Sequence, residues 1–224
     1  MFNGKMKAIT FSYDDNVVQD HKLVALLNRY GLKGTFNVNY ELFGKMGIGS
    51  RTDRPRIPLS EAKALYEGHE IAGHSLTHPN LDQLEDEEVI RQVEEDRLRL
   101  SELAGYEVVG FAYPYGGNSE RVVKLMKEHT GVRYARTVIA SHDFDLQKDH
   151  LLTFHPTAHH GDEEMFQIAE RFLALKPDNP QLLYIWGHSY EFDNDNGWER
   201  MEELCRLLSG HSDIFYGTNK EVLL

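Results

Sequence analysis

Two aspartates stand side by side at the end of an apolar run, Thr10-Phe11-Ser12-Tyr13-Asp14-Asp15-Asn16. Such a triplet serves turns, because Asp and Asn side chains bond their own backbone. It also serves chemistry. Two ionised carboxylates repel, and a divalent cation held by one relieves the repulsion and leaves the other free as a general base. Candidate partners for the cation stand in His74-Ser75-Leu76-Thr77-His78. Histidines four residues apart meet on one face of a helix or tight turn, and imidazole is a favoured ligand of zinc and its first-row neighbours. Pro79 and the absence of a helical period favour the turn. Two imidazoles and one carboxylate are the ligand count of an open catalytic site, with positions left for water or substrate. Strand alternation sends neighbouring side chains to opposite faces. Both aspartates reach one site only if the backbone leaves regular β geometry there.

Two further segments end strand-like runs in reactive groups. In Phe111-Ala112-Tyr113-Pro114-Tyr115-Gly116-Gly117 the proline and glycines set a sharp turn, and an amide left pointing into a site there can stabilise an oxyanion. In Leu183-Tyr184-Ile185-Trp186-Gly187-His188, the histidine is the group at that strand end whose ordinary pKa lies near neutrality, which suits a proton donor. His155, His159 and His160 form a cluster with no assigned role, and His69, His129 and His211 read as isolated structural histidines.

The elements that must position these residues alternate along the chain. Strands are expected at Lys7–Tyr13, Gly34–Tyr40, Glu70–Gly73, Val108–Tyr113, Tyr134–Ile139, Leu151–Thr157, Leu182–Trp186 and Ile214–Tyr216. Helices are expected at Val17–Tyr30, Ser60–Glu67, Asp86–Ala104, Glu120–Glu128, Glu163–Leu175 and Trp198–Leu208. This alternation implies an α/β fold with parallel strands and right-handed crossovers, a compact, imperfect βα barrel or, in competition, a doubly wound open sheet. The chain reads as a single catalytic domain over 1–224. Glu41 to Pro58 reads as a long basic loop, carrying Lys45, Arg51, Arg54 and Arg56, either a surface excursion or a wall of the site.

Composition narrows the function classes. With 41% hydrophobic and 27% charged residues the chain is globular, and 24 basic against 36 acidic side chains leave a net charge of -12. No broad basic surface for a nucleic-acid backbone follows from that balance. The longest apolar runs are strand-length, so no membrane partner is expected. The start, Met1-Phe2-Asn3-Gly4-Lys5-Met6-Lys7, has no apolar signal segment, and the single Cys205 cannot form an intrachain disulfide. Both suit a reducing, cytoplasmic compartment. Oligomeric state is left open.

Taken in order, Asp14-Asp15, His74-Ser-Leu-Thr-His78, the Pro114-Tyr115-Gly116 turn and His188 resemble the motifs of the polysaccharide deacetylases, metal-dependent enzymes that remove acetyl groups from N-acetylated sugars. The resemblance runs from about residue 7 to 190. It implies a distorted, incomplete βα barrel of about seven parallel strands surrounded by helices. It makes Asp14 the general base, and Asp15, His74 and His78 the ligands of one divalent metal ion, most simply Zn²⁺. It makes the Tyr115 amide the oxyanion donor and His188 the general acid, with an N-acetylated sugar or oligosaccharide as substrate. Tyr113, Tyr115, Trp186 and Trp198 are candidate sugar-facing aromatics.

Two positions depart from the family pattern. An arginine usually stands two residues before the turn proline, where this chain has Ala112, and the usual acidic-tryptophan motif after the next strand is replaced by Tyr134-Ala135-Arg136-Thr137. Arg136 is the expected substitute, reaching Asp14 from the neighbouring strand and gripping it bidentately. The alternatives are a relative that hydrolyses a small ring amide, a metal-dependent phosphoesterase, and a catalytically impaired carbohydrate-binding relative. A phosphoesterase usually wants two metals and more carboxylates than these motifs supply. A binding module needs no base, ligand set and proton donor at successive strand ends.

Overall fold

The computed structural model describes residues 2–48, 51–194 and 196–224. Ten strands are described, β1 (Lys7–Asp14), β2 (Gly34–Val38), β3 (Met46–Ile48), β4 (Arg51–Pro55), β5 (Glu70–Gly73), β6 (Gly110–Ala112), β7 (Tyr134–Arg136), β8 (Ala158–His159), β9 (Gln181–Gly187) and β10 (Ile214–Tyr216). The helices are α1 (Asp20–Arg29), α2 (Leu59–Leu65), α3 (Asp86–Ala104), α4 (Glu120–His129), α5 (Met165–Ala174), α6 (Gly197–Leu208) and α7 (Asn219–Leu223). The main sheet runs β7-β6-β5-β2-β1-β9-β8, every pair parallel, with β10 beside the first half of β1 and β2 beside the second. Phe154, ahead of β8, makes a parallel bridge to Arg136 at the end of β7, so the two edges approach one another. This is a distorted, incomplete βα barrel, and the open doubly wound sheet is excluded.

β1 is buried along its whole length, and its alternation explains how the barrel is filled. Ile9, Phe11 and Tyr13 join the large apolar cluster, together with Leu23 and Leu27 of α1, Ile168 and Phe172 of α5, and Leu204 and Leu208 of α6. Thr10 and Ser12 bond instead to Asn219 of α7, whose amide nitrogen also donates to the Tyr184 hydroxyl. Thr35 and Tyr134 donate to Glu70 in the same network. One end of the barrel is thus plugged by paired polar groups rather than by the branched apolar layers usual in βα barrels. α7, which no apolar period announces, supplies the plug.

α3 follows its sequence signals closely, with Asp86, Glu87 and Glu88 in its first turn and Gly105 in the left-handed conformation at its end (φ 81°). Two expectations are corrected. Leu151–Thr157 is not a strand; a 3-10 helix spans Lys148–Thr153. The Gln147 side chain bonds both the N–H and the carbonyl of His155, taking the place of a neighbouring strand. The stretch from Glu41 to Pro58 is not an unstructured loop; it opens with a 3-10 turn at Tyr40–Leu42 and contains the antiparallel pair β3–β4. Residues 49 and 50, within it, lie outside the described residues. Its base is fastened to the Asp15-Asn16 turn by Ile57 N–H on the Asn16 carbonyl (3.0 Å) and Val18 N–H on the Pro55 carbonyl (3.0 Å). Among the described residues no helix is long and apolar enough to cross a membrane.

Candidate active site

β1 delivers Asp14 as its last regular residue, on the same inward face as Thr10 and Ser12. The chain then turns sharply: Asp15 has φ 83° and Asn16 φ 41°. That departure from β geometry is what brings two adjacent carboxylates to one place. The turn is held by Asp15 N–H on the Asn37 carbonyl (3.1 Å) and by buried Arg56, whose guanidinium donates to the Asp15 carbonyl and stands 3.6 Å from its carboxylate. Arg56 comes from the basic stretch after Glu41, so part of that stretch does border the site.

The histidine pair sits on a tight turn, not a helix, with φ of 66° at Ser75 and 59° at His78. Ser75 Oγ accepts from His78 N–H (3.1 Å). α3 grips the turn with polar residues set into its apolar stripe: Asp96 accepts from His74 N–H (3.1 Å), and Gln92 accepts from Thr77 N–H (3.1 Å). Asp96 is fully buried between Val93 and Leu100, and burial pushes its carboxyl up to about 8. An aspartate on a buried helix stripe was a readable signal of a supporting role. The sequence reading passed over it.

His74 Nδ1 faces the Ala112 carbonyl at 2.7 Å, which fixes that nitrogen as the donor and leaves Nε2 with its lone pair. Nε2 lies 4.0 Å from Asp15 Oδ1, and His78 Nε2 lies 3.5 Å from the same oxygen. Burial holds both imidazoles below their ordinary pKa, His78 at about 4, so both are in the neutral form that binds metal. Asp15 Oδ1 is buried and has no hydrogen-bond partner. An orphaned carboxylate oxygen facing two imidazole lone pairs is costly unless a cation joins them. Donors around a tetrahedral zinc with bonds of about 2.0–2.1 Å stand roughly 3.3 Å apart. The residues fit a divalent ion.

Asp14 is organised differently. Its Oδ1 accepts from the Asn37 amide (2.8 Å), and its Oδ2 accepts from Arg136 Nη2 (2.5 Å). Burial alone would raise its pKa, but the Arg136 charge, followed by His74 and His188, holds it below the usual carboxylate value. Arg136 is 1% exposed and stacks its guanidinium on Trp186, 4.4 Å from the ring centroid. Ala112 and Arg136 are register partners on β6 and β7, so Arg136 stands on the strand next to Ala112. The grip is single rather than bidentate, because Arg136 Nη1 is spent on the Thr137 carbonyl (3.2 Å).

His188 follows β9, and its pKa is raised. Burial would lower it, but the Glu191 carboxylate, with Asp14 and Asp15, outweighs burial. Glu191 lies three residues on, its Oε1 3.4 Å from His188 Nδ1 and its Oε2 accepting from His188 N–H (3.0 Å). This His-x-x-Glu spacing was legible as a turn motif, and its role was missed.

The aromatic expectations divide. Tyr115 is 62% exposed, adopts φ 56°, and sets its ring edge-on to His78 at 4.6 Å. Tyr113 is not sugar-facing: it is buried beside Phe111, its hydroxyl donating to the Leu152 carbonyl. Trp186 is also buried and serves as the platform under Arg136 rather than as an open wall. Trp198 lies on α6 between Phe192 and Lys22, its indole N–H on Asp193. His155 bonds Thr137, whereas His159 and His160 converge on Glu191.

The chain is similar to known proteins over much of its length. The polysaccharide deacetylase family model matches residues 2–135. A peptidoglycan-N-acetylmuramic acid deacetylase, PdaC of Bacillus subtilis, is 28% identical over 125 residues, 56% of this chain and 24% of that protein. A peptidoglycan-N-acetylglucosamine deacetylase of Bacillus cereus is 26% identical over 127 residues, 57% of this chain and 42% of that protein. The chain thus spans less than half the length of either curated relative. A family 4 carbohydrate esterase from Streptomyces lividans, solved with acetate, shares the fold with a TM-score of 0.59 at 17% identity, covering 96% of this chain and 93% of that one. With more than half its length matched by the family model, the chain belongs to the polysaccharide deacetylase family.

Proposed function

We propose that this protein is a metal-dependent deacetylase that hydrolyses the acetamide of an N-acetylated amino sugar in a glycan or oligosaccharide. The observation that carries this is the division of labour between the adjacent aspartates. Asp15 turns an unpartnered oxygen toward two imidazoles, while Asp14 is held by Arg136 and Asn37. Asp15, His74 and His78 would hold a first-row divalent ion, most simply Zn²⁺, which when bound would supply Lewis-acid activation of water and of the acetyl carbonyl. Asp14 accepts the proton of the attacking water, kept ionised by Arg136. The Tyr115 amide, on a left-handed turn against His78, donates to the oxygen of the tetrahedral carbon. His188 protonates the amine as the C–N bond breaks, with Glu191 steadying the charged imidazole.

The test is acetate release from N-acetylated oligosaccharides and peptidoglycan fragments, run beside a set of small ring amides. Acetate from the sugars, lost on chelation and restored by added zinc, is the expected result. Turnover confined to ring amides overturns the substrate class. For His188 the expected signature is the alkaline limb of kcat/KM. A general acid works only while protonated, so activity falls as pH rises through its pKa, placed above the ordinary histidine value by the neighbouring carboxylates. His188→Ala should remove that limb and slow turnover by about 10²–10⁴-fold, with a smaller penalty for substrates whose amine leaves easily. Equal impairment on good and poor leaving groups would instead make His188 a binding residue.

A further inference from the structure

Three imidazoles and one carboxylate gather at the C-terminal ends of β8 and β9, apart from the Asp15 ligand set. His159 Nε2 lies 3.1 Å and His160 Nε2 3.4 Å from Glu191 Oε2, and His188 Nδ1 lies 3.4 Å from Glu191 Oε1. The His159, His188 and Glu191 donor atoms all lie within 4.8 Å of one another. The His159–Glu191 and His188–Glu191 contacts, 3.1 and 3.4 Å, lie near the roughly 3.3 Å expected between donors on one tetrahedral ion. The backbone makes room for the cluster. A Cβ at Gly187 would stand 2.0 Å from His160 Nδ1 and 3.1 Å from His159 Nε2, so no larger residue fits between the rings and β9. His159, His160 and Glu191 also line a cavity of about 310 Å³ that opens to solvent, a path for an ion.

We infer that His159, His188 and Glu191 form a second, inhibitory site for a first-row divalent cation such as Zn²⁺. Occupation takes the Nδ1 lone pair of His188. The imidazole then cannot become imidazolium, and the proton donor for the leaving amine is lost. No bond other than the metal–ligand bonds forms, and the proton that His188 carries at Nδ1 passes to solvent on binding. The site itself stands on the cluster geometry; the inhibition rests on the reading of His188 as general acid.

The experiment titrates Zn²⁺ into protein already holding one equivalent, by calorimetry, with acetate release measured in parallel. The wild type should take up a second, weaker equivalent and lose activity as it fills. His159→Asn keeps an acceptor for Gly161 N–H, which His159 Nδ1 now serves at 3.1 Å, but removes Nε2. It should weaken the second equivalent by at least about tenfold, leave the first intact and keep its basal rate at zinc levels that inhibit the wild type. Asp15→Ala should do the reverse and lose only the first equivalent. Absence of a second equivalent, or one bound equally by His159→Asn, overturns the site and leaves the deacetylase reading untouched. A second equivalent that His159→Asn loses but that never affects the wild-type rate supports the site and overturns His188 as proton donor.

Discussion

Asp14→Asn is expected to keep its metal and lose about 10²–10⁴-fold in kcat, the usual contribution of a general base. The substituted amide is nearly the same size, and Asn37 and Arg136 remain in place, so the turn that presents Asp15 should be preserved. What is lost is the carboxylate charge and basicity that take the proton. Asp15→Asn has a different signature. Its Oδ1 is the oxygen that faces His78 and His74, and without its charge the ligand set has only two imidazoles. Metal content by elemental analysis should therefore fall in Asp15→Asn and hold in Asp14→Asn. Loss of metal from both would mean that the two carboxylates share the ion and that the base lies elsewhere.

Arg136→Ala should be damaging twice over. Asp14 would remain buried without its compensating charge, and breaking such a pair costs about 3–5 kcal/mol of stability. Arg136 is itself almost wholly buried, which adds a cavity over Trp186. The kinetic effect follows from the pKa direction. Asp14 works only when ionised, and Arg136 is the main influence holding its pKa down against burial. Removing the guanidinium raises that pKa, so the acid limb of kcat/KM should move to higher pH and activity near neutrality should drop. The same linkage appears in stability. A carboxyl with a depressed folded pKa contributes above its unfolded value of about 3.9 and loses that contribution as pH falls through the folded value. The variant should lack this acid-dependent component. Arg136→Lys should be intermediate, since an ammonium restores charge but not the planar contact with Trp186. Metal content should hold in both. A normal acid limb and near-normal kcat in Arg136→Ala would assign the holding of Asp14 to Asn37 alone.

The chemistry-bearing positions were legible because each sits where an apolar β run stops. Asp14-Asp15 after β1, His74 after β5, the Tyr113-Pro114 turn after β6 and His188 after β9 are polar breaks in otherwise covered strands. Strand–helix alternation likewise announced a parallel sheet, and α3 and β5 lie where their patterns put them. Short paired elements were less legible. β3 and β4 are held by their mutual pairing and by the Asp15-Asn16 turn, and the Lys148–Thr153 helix by the Gln147 side chain, none of which leaves a periodic trace.

Tertiary structure alone decided how the charges pair. Nothing in the order of residues says that Arg136 holds Asp14 through one nitrogen while the other serves the Thr137 carbonyl, that Arg56 travels back to the Asp15 carbonyl, or that Tyr113 turns inward while Tyr115 turns out. It also decided that Glu191 gathers three histidines from two strand ends. Local sequence encodes propensity and burial through the periods of 2 and 3.6 residues, which each segment carries by itself. Ion pairs and ligand sets depend on strand register and on single left-handed residues such as Asp15, His78 and Tyr115, whose positions are fixed only when the whole barrel has closed around them.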